Sequence, residues 1–225
     1  MREVVLDTET TGLDPLAGHR VVEIGCVELR NHLPTGEVFQ RYLNPEREMP
    51  GAAFDVHGLS DAFLREQRLF GEIADEFLSF IGDDPLIAHN AEFDLGFVNA
   101  ELRRIDCAPL PSSRAIDTIK LARRKFPGAP ASLDALCRRF GVDLSGRQKH
   151  GALLDSALLA EVYLELIGGR QPGLVLTASA LRPSVAYAPR PARRHAASAA
   201  ELAAHAAFVA TLTEPIWNRT EPGPG

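Results

Sequence analysis

Val4, Val5 and Leu6 form an unbroken apolar run that ends in Asp7, and Glu9 follows two residues later. A run of that kind reads as a strand buried on both faces. Strand side chains repeat with period two, so Asp7 and Glu9 point to the same side. Thr10, Thr11 and Gly12 then turn the chain out. Two carboxylates at the mouth of a buried strand repel each other and resist desolvation. A divalent cation with hard oxygen ligands offsets both costs; two solvated acids at a strand end need none.

The 225 residues, 45% of them hydrophobic, suffice for one α/β domain with an appendage. No apolar run of about 18 residues exists, and the first residues already read as strand, so the expected location is the cytoplasm. Cys26, Cys107 and Cys137 lack metal spacing and read as buried small residues of a reducing compartment. Charge is uneven. Residues 1–170 hold 19 of the 24 basic and 27 of the 30 acidic side chains. A domain so acidic does not suit general binding of duplex DNA. If it handles nucleic acid, it grips a short end through metal ions and needs a tether.

Further strands are expected at Val21–Leu29, Val38–Leu43, Leu86–Ala88 and Ala115–Thr118, with a turn-rich stretch over residues 31–36 and a loop over 48–51. His57 falls in a loop and is either incidental or functional. Helices are expected at 61–66, at 70–81 with Phe70, Ile73, Ala74, Phe77 and Ile81 inward, and at 91–104 behind a possible Asn90 cap. Others follow at 118–125, at 133–140, and at 152–167 with Leu154, Leu158 and Val162 inward. Asp94 and Asp155 lie early in two of these helices, where the helix dipole alone would favour an acid.

Asp7, Glu9, Asp94, His150 and Asp155 can therefore meet at one crevice of an α/β sheet. Four carboxylates would hold two cations about 3.5–4 Å apart for in-line attack of water on a phosphodiester. His150, neutral, would be the general base, and activity should rise into the mildly alkaline range. Three motifs carry a resemblance here: Asp7-Thr-Glu9, His89-Asn90-Ala-Glu-Phe-Asp94 and His150-Gly-Ala-Leu-Leu-Asp155. Their order and intervals resemble the His-type DEDD 3′–5′ exonucleases of the ribonuclease H-like superfamily. The likeness extends to the proofreading subunits of bacterial replicative polymerases through Phe126-Pro127-Gly128, Ser132–Cys137 and Ala160–Tyr163.

That resemblance implies a mixed five-stranded sheet flanked by helices. It implies Asp7, Glu9, Asp94 and Asp155 as ligands of two Mg²⁺ or Mn²⁺ ions, with His150 as base. It places His57, with Asp7, Glu9 and Asp155, against the 3′ nucleotide of a single-stranded or frayed DNA end. One departure is Ala52, where some relatives carry an acid that touches substrate. A stand-alone enzyme acting on RNA 3′ ends or short oligoribonucleotides is the alternative.

The expected division is an exonuclease domain over 1–170, a clamp-binding segment over 171–180, a linker over 181–197 and a docking tail over 198–225. Gln171, Leu174 and Leu176 resemble a sliding-clamp peptide. The stretch 181–195 is rich in Pro, Ala and Arg, as extended linkers are. Ser198 and Glu201 form a capping box that opens a helix over 199–212. Leu202, Val209 and the lone Trp217 would dock on the polymerase catalytic subunit; folding back on the chain's own domain is the other reading.

Overall fold

The computed structural model describes residues 1–146, 149–169 and 196–215. Residues 1–174 and 175–225 form two separate compact units. Among its described residues, the first holds five strands: β1 (Arg2–Thr10), β2 (Val21–Arg30), β3 (Leu33–Tyr42), β4 (Leu86–Ala88) and β5 (Ala115–Asp117). They form one mixed sheet in the order β3-β2-β1-β4-β5, antiparallel from β3 to β1 and parallel from β1 to β5. Among the described residues, seven α-helices accompany it: α1 (Gly51–His57), α2 (Asp61–Arg65), α3 (Phe70–Ile81), α4 (Ala91–Arg104), α5 (Thr118–Lys125), α6 (Leu133–Phe140) and α7 (Ala152–Ile167).

The alternation of β1 divides the core. Val4 and Leu6 join Phe77, Ile73, Phe97 and Leu102 of α3 and α4. Val5 joins Leu136, Leu159 and Val162 of α6 and α7 on the opposite face. The apolar stripe of α3 is buried as its 3.6-residue period predicts.

Several expectations are corrected. β3 begins at Leu33, not Val38, because Asn31 and His32 both adopt positive φ (51° and 67°) and close a two-residue hairpin. Pro34 is tolerated because β3 is an edge strand. Residues 51–57 are helical, so His57 is the last residue of a helix and not a loop residue. Exposed Phe54 and Val56 hide that helix from any periodicity argument. Asn90 precedes α4 in a left-handed conformation and makes no side-chain cap bond. Leu154 is exposed, because the buried stripe of α7 runs through Ala152, Asp155, Ser156, Leu159 and Tyr163 instead. Cys107 is only partly buried, unlike Cys26 and Cys137.

In the second unit, α8 (Ala199–Val209) starts at the expected Ser198–Glu201 capping box and ends three residues early, in turns that close on Phe208 and Val209. Gln171, Leu174, Leu176 and Trp217 lie outside the described residues, as do residues 181–195 of the linker expected over 181–197. Among the described residues, no helix is long and apolar enough to cross a membrane.

Candidate active site

Three elements converge at the carboxyl ends of β1 and β4. Asp7 and Glu9 share the face of β1 on which Val5 meets α7. Asp94 stands in the first turn of α4, directly after β4, and Asp155 in the first turn of α7. The start of α7 lies close over β2 because residue 25, the cross-strand neighbour of Asp7, is glycine. A Cβ at Gly25 would fall 2.2 Å from the backbone of Ala152 and Leu153. The Ser156 hydroxyl donates to the Gly25 carbonyl across the same contact, at 2.9 Å.

Side-chain bonds then aim the acids. The Thr8 hydroxyl donates to Asp94 Oδ1 at 2.8 Å. His150 Nδ1 lies 3.1 Å from Asp155 Oδ2. The His150 segment is held by α1: its backbone N–H donates to the Val56 carbonyl, and Lys149 Nζ sits 5.2 Å from the Phe54 ring centre. Ligand atoms of Glu9, His150 and Asp155 lie within 4.8 Å of one another.

The crowding has an electrostatic signature. Burial, then repulsion from Asp94, Glu9, Asp155 and Glu23, pushes the Asp7 carboxyl well above its usual range. Burial also raises Asp94, to about 7, against the opposing hydrogen bond from Thr8. Burial lowers His57 below the usual imidazole range. Such a bunched set of carboxylate oxygens fits a divalent cation, because positive charge removes the repulsion and oxygen is a hard donor.

Two hollows open on this cluster. One, of about 420 Å³, is lined by Asp7, His89, Ser132, Asp134, His150 and Asp155, among others. The other, of about 580 Å³ and mostly apolar, is bounded by Glu9, Thr10, Leu13, Val56, His57 and Phe93. Ala52 lines it too, so no acid reaches the hollow from that position.

All five residues expected around the cations thus share one cleft, and His57 borders the adjoining hollow. Leu202 is exposed and Val209 buried on α8, in the separate unit. Thr8, Glu23, Leu13, Val56 and Phe93 escaped the sequence reading. The alternation that exposed Asp7 and Glu9 could also have flagged Glu23, an acid inside an apolar strand.

The RNase_T family, described as exonuclease, matches residues 4–163. The chain is 58% identical over 174 residues to the DNA polymerase III subunit epsilon of Rickettsia felis, covering 76% of each chain. It is 37% identical over 228 residues to the subunit of that name from Pasteurella multocida, covering 95% of this chain and 90% of the relative. In fold it is similar to the nuclease domain of 3′hExo, a DEDDh family member bound to rAMP. That similarity has a TM-score of 0.63 and 20% identity, and covers 74% of this chain and 91% of that one.

Proposed function

This chain belongs to the RNase_T exonuclease family, and from that membership we propose that it is the 3′–5′ proofreading exonuclease subunit of a bacterial replicative DNA polymerase. One observation carries the reading: Asp7, Glu9, Asp94, His150 and Asp155, spread over nearly 150 positions, meet at one cleft.

Asp7, Glu9, Asp94 and Asp155 are the residues that would hold two divalent cations, Mg²⁺ or Mn²⁺. Bound there, the cations would supply charge that eases ionisation of water and stabilises the phosphate as negative charge builds on it. The protein's own groups do the rest. The Asp155 carboxylate accepts from His150 Nδ1–H, which fixes the tautomer and leaves the Nε2 lone pair to take a proton from the attacking water. The apolar hollow beside Glu9 suits the base of the 3′-terminal nucleotide, with Val56, His57 and Phe93 against it. A mispaired end frays at lower cost than a paired one, so it enters this hollow more often.

An acidic domain with a weak grip on DNA acts efficiently only when tethered. Gln171, Leu174 and Leu176 are proposed to bind the sliding clamp. Leu202, Val209 and Trp217 are proposed to dock on the polymerase III catalytic (alpha) subunit. Similarity to the Pasteurella subunit over 95% of the chain and the exposure of Leu202 support this. Linkage of this kind raises the local concentration of the nuclease to about millimolar.

The test is hydrolysis of a 3′-mispaired primer, a paired primer and a matched RNA oligonucleotide, each with Mg²⁺ or Mn²⁺. The expected order is mispaired DNA, paired DNA, RNA, and His150→Ala should lower kcat by about 10²–10⁴-fold with the fold intact. Fastest cleavage of RNA would point to the stand-alone RNA enzyme instead. Replacing Leu202 and Trp217 together should abolish capture of the catalytic subunit and spare hydrolysis of free oligonucleotide.

A further inference from the structure

Glu23 lies within the sheet, only 2% exposed, directly opposite Glu9 in the β1–β2 pairing. Two acids facing each other across strands destabilise a sheet, and burial adds to the cost. The side chain is nonetheless fully engaged. Its Oε2 accepts from the backbone N–H of Ala152 at 3.1 Å, and its Oε1 accepts from Gln40 Nε2 at 2.7 Å. Gln40 Nε2 also donates to the Tyr42 hydroxyl, whose ring stands edge-on to Phe63.

Ala152 is the first residue of α7, and the residue before it, Gly151, has no side chain with which to cap the helix. Glu23 therefore does for α7 what a cap side chain does elsewhere, but from a neighbouring strand. It satisfies a first-turn N–H and sets negative charge against the positive end of the helix. Asp155 lies one turn on and His150 just before the helix starts. Any slide or fraying of the first turn moves both relative to Asp7 and Glu9.

We propose that Glu23 is a positioning residue of the reaction: a cap supplied by β2 that holds the first turn of α7, and with it Asp155 and His150, in register with the β1 acids. Gln40 orients the carboxylate so that Oε2 faces the helix. The inference rests on the exonuclease reading of the cleft.

The test compares full-length Glu23→Ala and Glu23→Gln with the unaltered chain. The first readout is hydrogen exchange of the Ala152 amide without metal, and the second is kcat and KM on a single-stranded DNA oligonucleotide. Glu23→Ala should speed Ala152 exchange about tenfold or more. It should lower kcat by about 10–100-fold, as loss of an orienting partner does, with KM changed about twofold or less. Glu23→Gln keeps a carbonyl acceptor once Gln40 turns its amide over, so it should recover most of both. The proposal is overturned if Glu23→Ala keeps normal kcat. It is equally overturned if kcat falls only as far as the folded fraction in urea melts, or if Glu23→Gln behaves like Glu23→Ala. Asp155→Ala is assayed alongside: an active Asp155→Ala protein would sink the exonuclease reading and leave the cap on α7 standing.

Discussion

Asp7 carries the conflict on which the cleft is built. It is surrounded by Asp94, Glu9, Asp155 and Glu23, and burial denies it the water that would screen them. A site that favours cations is thereby a site that strains the metal-free protein. Asp7→Asn cannot ionise and keeps the same size, so it removes the cost of placing a charge in the cluster. The metal-free variant should melt a few degrees higher than the unaltered chain while losing hydrolysis with either metal. Thermal melts in chelator, paired with an oligonucleotide assay, check both halves; a lower melting temperature would contradict the repulsion argument. Asp7 and Glu9 were legible in the sequence because period two is a local property of a strand. Thr8 was not, because its bond to Asp94 spans 86 positions of sequence.

At the scale of elements, the site depends on how close α7 lies to β2. Gly25 sets that distance, since even one methyl group there meets the backbone of Ala152 and Leu153. Gly25→Ala should cost about 1–3 kcal/mol of stability by overpacking and lower kcat more than tenfold, as Asp155 is pushed from the β1 acids. Urea unfolding and steady-state kinetics measure these; an unchanged kcat would show that the acids tolerate the shift. The same scale explains the least legible element. α1 exposes Phe54 and Val56 and buries His57, so it has no apolar stripe, yet it holds the His150 segment through the Val56 carbonyl. Helices with a buried stripe, such as α3, were read to the residue, because there the hydrophobic period and the core agree.

For the whole molecule, stability should depend on pH and on metal together. Asp94 titrates near 7 in the folded protein, and Asp7 is raised as well, against about 3.8 for an unperturbed aspartate. The folded state therefore holds protons that the unfolded chain has released, and metal-free stability falls as pH rises from about 4 through 7. A divalent cation restores it most where the carboxyls are ionised. Scanning calorimetry with and without Mg²⁺ should show a larger rise in Tm at pH 8 than at pH 5.5. Equal rises at both would mean that these carboxyls are not the groups the cation meets.

What the sequence settled alone was local: the strand that carries Asp7 and Glu9 on one face, the helical stripe of α3, the capping box of α8, and three motifs in a recognisable order. Each depends on neighbours within a few positions, where period and cap chemistry leave little choice. Tertiary structure decided what depends on distant approach. It brought Glu23 under the start of α7 and turned Leu154 outward so that Asp155 could face inward. Those outcomes follow from backbones packing at contact distance, a constraint carried by pairs of residues more than a hundred positions apart, as between Glu23 and Ala152.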